Sequence, residues 1–241
     1  MANDTLNSYE PATGEILWSG EHSDVAAAVS RARRAWPSWA AMAISTRIEL
    51  TRRFANEVRK RADEMAYLIA REAGKPLWDA RTEVEAVINK VDISVNAYAE
   101  RTGKKRRDSA LQGASALRHK PHGVMAVLGP YNFPAHLPNG HIIPALIAGN
   151  TVLFKPSEKT PAVGEMLVQC LEQAGLPENV VQLIIGGAEE GEALVAHPGV
   201  DGVLFTGSAQ TGIAINRRLA ANPGKLVALE MGGNNPLVVT D

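Results

Sequence analysis

GVMAVLGPYNFPAHLPNGHIIPALIAGNTVLFK, residues 123–155, is the stretch from which the fold is read. It opens on the apolar run GVMAVLG, crosses a proline-flanked turn, and enters a segment near residues 137–148 whose apolar positions suit a helix. It closes on TVLFK, a second short run of β-branched and aromatic residues. Strand, helix, strand in that order forms a right-handed crossover between parallel neighbours. The alternation continues with a helix near 161–174, VVQLIIG at 180–186, GEALVAH at 191–197, VDGVLFTG at 200–207, AQTGIAINRRLAA at 209–221 and KLVALEMGG at 225–233. The expected class is therefore α/β, a doubly wound parallel sheet over residues 123–241 with helices on both faces. Ligands of such sheets sit beyond the carboxyl ends of the strands. The places to search are residues 130–133, 155–158, 186–191, 206–212 and 230–234.

Upstream, residues 23–102 read as a helical lead-in. One helix starts at the caps Ser23 and Asp24 and is expected to stop at Pro37; a second run extends from Thr46 to Gly74, and a third from about Trp78 to Gly103. In the third, Val84, Val87, Ile88, Val91, Val95 and Tyr98 recur at helical spacing along one buried stripe. These helices read as scaffold. The basic, turn-rich segment 103–122, with KKRR and QGAS, reads as a solvated loop or hairpin, an anion-binding role being the alternative.

Bulk properties narrow the function classes. With 25 basic and 26 acidic residues the formal charge is -1, so no global field draws the 241-residue chain to nucleic acid or an anionic membrane. A small-molecule partner is favoured. No apolar run approaches the ~20 residues of a membrane span. The opening MANDTLNSYE has no basic segment followed by an apolar one, so no secretory signal is expected. A single cysteine cannot close an internal disulfide, which agrees with a reducing cytoplasm.

Four motifs carry chemistry. FTGSAQTG, residues 205–212, sets Gly207, Ser208, Ala209, Gln210, Thr211 and Gly212 between a strand and a helix, where free amides and the positive helix end can meet a phosphate. Ser208 could add its hydroxyl; an ordinary N-cap with turn glycines is the alternative. There is no G-x-G-x-x-G fingerprint. TVLFKPSE brings Lys155 and Glu158 to the ligand edge, where they could grip ribose hydroxyls, and a carboxylate there would repel a 2'-phosphate, favouring NAD over NADP. LVALEMGGNNP ends a strand on Glu230, a carboxylate expected to be partly desolvated and so suited to general-base work, unless an Arg or Lys pairs with it. PYNFP offers the Asn132 amide as an oxyanion donor beside Tyr131, or simply as turn chemistry. Cys170 falls on the apolar stripe of Val163, Met166, Leu167, Leu171 and Ala174 and reads as structural. His136 and His141 have no partners at ligand spacing, so no metal site is assigned and both read as hydrogen-bonded structural histidines.

Taken together, GPYNFP, FKPSE, GLPENVVQLIIGG, FTGS and LEMGGNNP stand in the order and approximate spacing of the aldehyde dehydrogenase superfamily, which this chain resembles over nearly its whole length. A finer likeness rests on GPYNFPAHLPNGHIIPALIAGN, EAGKP, SALRHKPHGV and LEMGGNNP, and points to the branch oxidising an N-succinylated semialdehyde in arginine breakdown. The resemblance implies that Lys155 and Glu158 hold the adenosine ribose of NAD, Gly187 borders the adenine, and Gly207 to Gly212 with Ser208 meet the pyrophosphate. It further implies that Asn132 stabilises the oxyanion, that Glu230 activates the hydrolytic water, and that Tyr131 stands where the family usually has Trp. The RTGKKR stretch would open an oligomerisation arm, implying a homo-oligomer, dimer or tetramer, at full length. In the family a cysteine thiolate attacks the aldehyde, hydride passes to NAD, and water releases the acid. That cysteine lies beyond the LEMGG-type motif, so residues 1–241 are expected to hold the NAD-binding domain without the nucleophile and to show no turnover alone. The start is expected to fall short of the family's leading strands. The alternatives are another NAD-dependent semialdehyde dehydrogenase and a stand-alone dinucleotide-binding module.

Overall fold

The computed structural model describes residues 5–103, 105–108, 114–233 and 235–240. In chain order the elements are β1 (Thr5–Tyr9), β2 (Ile16–Glu21), α1 (Val25–Ala41), α2 (Ile44–Lys60), α3 (Ala62–Ala73), α4 (Leu77–Arg101), β3 (Lys105–Asp108) and β4 (Ala114–Leu117). There follow β5 (Val124–Leu128), α5 (His136–Ile147), β6 (Thr151–Lys155), α6 (Pro161–Gln173), β7 (Val181–Leu183), α7 (Ala188–Ala196), β8 (Gly202–Gly207), α8 (Ala209–Leu219) and β9 (Leu226–Met231). The last five strands form one sheet in the order β7-β6-β5-β8-β9, every pair parallel, which is the doubly wound arrangement expected. The order reverses at β5. The crevice beyond the carboxyl ends of β5 and β8 is therefore the topological switch point where such sheets take ligands.

The period-2 alternation of each strand sends its residues into two separate cores. Met125, Val127, Val152, Phe154 and Leu204 point to one face, packed with Phe54, Ile69, Val84, Val87, Ile143 and Leu167 from α2 to α6. Val124, Ala126, Leu153, Val203 and Phe205 point to the other, packed with Val29 of α1, Leu194 of α7 and Ile215 of α8. The lead-in helices are thus layers of the same domain: α1 covers one face, and α2 to α4 form a second tier over α5 and α6.

The structure amends three sequence expectations. The first helix runs through Pro37 to Ala41, because proline removes a single ladder bond while Trp39, fully buried in the last turn, fixes the continuation. The run from Thr46 to Gly74 is broken at Arg61 (φ -108, ψ 20), whose guanidinium binds Glu64 and reaches Gln169 on α6. Gly74 does end α3, in the left-handed conformation (φ 67) that glycine adopts without penalty. The chain also has leading strands: β1 and β2 pair antiparallel as a hairpin. Ser8 on β1 donates to buried Glu72 of α3 at 2.6 Å, and Glu72 also accepts the first-turn amides of Ala162 and Val163 on α6. The segment after Gly103 includes the β3–β4 antiparallel pair, as the hairpin reading expected. Lys104, Gln112 and Gly113 of its KKRR and QGAS motifs lie outside the described residues, as does Asn234.

Candidate functional site

Strand register lines the site residues along one edge. Lys155 pairs with Leu128, Leu128 with Phe205 and Phe205 with Leu229; one step further Thr206 pairs with Glu230. Lys155 at the end of β6, the 130–133 loop after β5, residues 206–212 from the end of β8 into α8, and Glu230 near the end of β9 therefore share the carboxyl edge. Gly187 joins them as the N-cap of α7, its N–H donating to Glu190 Oε2 at 2.7 Å. Glu190 in turn meets His22 Nδ1 at 2.8 Å, and Ser23 exchanges hydrogen bonds with Ile185, so the residues just before α1 hold this loop.

Lys155 is buried, and its Nζ donates to the Pro156 carbonyl at 3.1 Å. Burial pulls its pKa below 10.5, against the opposing charges of Glu158 and Glu190. Its stem passes Gly191 in the first turn of α7. Glu158 is exposed on the turn beyond, where it accepts a 3.4 Å bond from Ser157 Oγ.

Ser208 is the N-cap of α8. Its Oγ accepts from the Thr211 amide at 3.2 Å and lies 2.9 Å from Thr211 Oγ1. The cap reading and the anion reading thus fall on the same residue, with the hydroxyl occupied inside the first turn. The amides of Ala209 and Gln210, exposed and without an intrahelical acceptor by helix geometry, are the donors left facing outward. Gly207 and Gly212 keep the entry to α8 tight: a Cβ on Gly207 would meet the Phe205 ring at 2.5 Å, and one on Gly212 would strike Met231 Sδ.

Glu230 departs from expectation. Among the described residues of this chain it is solvent-exposed, β9 lying at the sheet edge beside β8, so the apolar flank of the strand does not by itself bury it. Next to it, His141 on α5 sets Nε2 3.1 Å from Thr206 Oγ1, and burial holds its imidazole below 6.5 against the pull of the Glu230 charge. The hydrogen-bonded reading of His141 therefore stands, at the edge of the site. His136 Nδ1 is buried with no hydrogen-bond partner among the described residues, so the same reading does not extend to that nitrogen.

Asn132 is exposed, and no hydrogen bond among the described residues occupies its amide. Tyr131 stands half-exposed beside it, with Lys159 Nζ 4.6 Å from its ring centre. Cys170 is fully buried, and burial raises its pKa, as a structural thiol requires. A groove of about 570 Å³ bounded by Arg53, Lys60 and Gly175 lies where α2 and α6 end, and none of the residues above lines it. No helix among the described residues is long and apolar enough to cross a membrane.

The sequence model of the aldehyde dehydrogenase family matches residues 1–241. The chain belongs to the aldehyde dehydrogenase family. Among its curated relatives, the N-succinylglutamate 5-semialdehyde dehydrogenase of Novosphingobium aromaticivorans is 71% identical over 241 residues, all of this chain and 51% of the relative. The protein of the same name from Sphingopyxis alaskensis is 64% identical over 239 residues, 99% of this chain and 50% of the relative. This aldehyde dehydrogenase chain thus spans about half the length of the curated relatives it matches. A betaine aldehyde dehydrogenase double mutant from Staphylococcus aureus, solved in complex with NAD+, superposes with a TM-score of 0.89 at 29% identity, over 95% of this chain and 48% of that one. The strand edge has room for such a cofactor: Gly187 has open space where a side chain would begin, the first amides of α8 lie on an exposed turn, and Lys155 is a buried donor at the end of β6.

Proposed function

We propose that this chain is the dinucleotide-binding half of an enzyme that, at full length, oxidises N-succinyl-L-glutamate 5-semialdehyde to N-succinyl-L-glutamate with NAD. The observation that carries the reading is the single carboxyl edge holding Lys155, the Ala209 and Gln210 amides, Asn132 and Glu230 together. The likeness to relatives of that name supports the substrate.

In this reading Lys155 and Glu158 take the adenosine ribose, Gly187 borders the adenine, and residues 207–212 receive the pyrophosphate on the amides that open α8. The exposed Glu158 carboxylate disfavours a 2'-phosphate, which selects NAD over NADP. Tyr131 gives an aromatic wall, Asn132 donates to the developing oxyanion, and Glu230 takes the proton of the hydrolytic water. NAD, when bound, supplies the hydride acceptor. The nucleophile belongs to the part of the full-length enzyme beyond this chain, and the assembled protein is a homo-oligomer.

The test is to assay the full-length protein against a panel of semialdehydes with NAD and with NADP. The expected result is the highest kcat/KM for the succinylated substrate with NAD. Equal rates across the panel would sink the substrate assignment, and a preference for NADP would sink the role of Glu158.

A further inference from the structure

The loop that carries Asn132 is anchored at both ends, and the second anchor comes from the helical lead-in. At its start, the Gly129 amide donates to the Lys155 carbonyl at 2.9 Å. At its end, α5 begins at an N-cap, Ala135, that has no side-chain oxygen of its own to satisfy the first amides. Glu83 of α4 supplies it from outside: its Oε1 accepts from the Ala135 amide at 2.9 Å and from the His136 amide at 3.0 Å. The other oxygen, Oε2, accepts from Lys75 Nζ at 2.5 Å, and the Glu83 side chain is fully enclosed. The Lys75 ammonium also lies 4.1 Å from the centre of the Phe133 ring. Asn132 is three residues from each anchor, and its own amide is unattached among the described residues.

We propose that Glu83, held in place by Lys75, is a positioning residue that sets where the Asn132 amide stands, so that α4 fixes a donor it never touches. This rests on the reading of Asn132 as the oxyanion donor. A buried carboxylate bound by two amides and one ammonium has its rotamer fixed by every partner, and cannot be removed without freeing the first turn of α5. Oxyanion donors act through placement, so a loop released at one end costs rate even with Asn132 intact.

The experiment uses the full-length protein with Glu83→Gln, Asn132→Ala and the double variant. Hydrogen exchange over residues 130–137 should quicken in Glu83→Gln by about tenfold while residues 207–212 exchange as before, local opening being confined to the released unit. Turnover should fall about tenfold with the Kd for NAD within about twofold of the parent, and Glu83→Gln should cost little further once Asn132 is already Ala, the signature of one pathway. Glu83→Asp, which keeps the charge, should recover part of the loss; should the Gln form not fold, it gives the same readouts at smaller amplitude. Full multiplication of the two losses, or exchange rising evenly across the protein, would overturn the proposal. If Asn132→Ala leaves kcat intact, the oxyanion reading fails by itself, and the exchange of residues 130–137 still decides whether Glu83 holds the loop.

Discussion

Replacing Lys155 with Met should make the ligand-free protein more stable and its grip on NAD weaker. Among the described residues the buried ammonium has one hydrogen bond, to the Pro156 carbonyl, and burial outweighs the attraction of Glu158 and Glu190 in lowering its pKa. Methionine keeps the apolar stem beside Gly191 and removes the desolvated charge. A gain of about 1 kcal/mol is expected from relieving a poorly compensated buried charge, which for a domain of this size raises Tm by about 3 °C. Losing a charged donor to the ribose should cost about 1.5–3 kcal/mol of binding, or roughly 10- to 150-fold in Kd. Calorimetry of the ligand-free full-length protein and a fluorescence titration with NAD read the two effects separately. The pH dependence has a definite sign. With the folded pKa below 10.5, the penalty is complete below the folded value and fades as pH climbs toward 10.5, so the advantage of the Met form should narrow in alkali. A variant that lost Tm and bound NAD as the parent does would show Lys155 to be structural.

Ser208→Ala removes the acceptor of the Thr211 amide at the start of α8 and should cost about 1 kcal/mol in urea denaturation; an unchanged midpoint would remove the cap from the account. Glu230→Gln in the full-length enzyme should leave a burst of reduced cofactor equal to the enzyme and slow steady turnover by about 100-fold or more, whereas loss of the burst as well would place Glu230 before hydride transfer. Burial lowers the His141 pKa, so the stability it contributes is present above its unfolded value near 6.5 and is lost as pH falls through the lower folded one. His141→Gln should flatten the fall of stability as pH drops below about 6.5, and equal slopes in the two proteins would contradict that assignment.

The parallel sheet was legible because its strands are short apolar runs that end in polar or glycine-rich turns, and those turns are the site. Lys155, Ser208 and Glu230 could be placed at one edge from that pattern alone. Their environments could not. Glu230 follows an apolar run, yet its exposure in this chain depends on β9 lying at the sheet edge, which is a property of sheet order. The Ser208 hydroxyl depends on a side chain three residues onward. The roles of Glu72 and Glu83 left a trace that went unused: each falls at helical spacing on an apolar stripe, with Met65, Ala66 and Ile69 for the first and Ala80, Val84 and Val87 for the second. A carboxylate on a buried stripe needs partners, and here the partners are helix starts more than fifty residues away in sequence.

The Ser8–Glu72–α6 junction has a consequence for biosynthesis. Trp18 on β2 donates to Glu165 at 2.8 Å, so the hairpin made first is fastened to a helix made much later. At a ribosomal pace of about 5–20 residues per second, the hairpin waits on the order of 10 to 30 seconds for that helix to emerge. Through that interval the hairpin has only α3 to hold it, by Ser8 on Glu72 and Glu10 on Arg71, and its ties to α6 wait until residues 161–165 leave the exit tunnel.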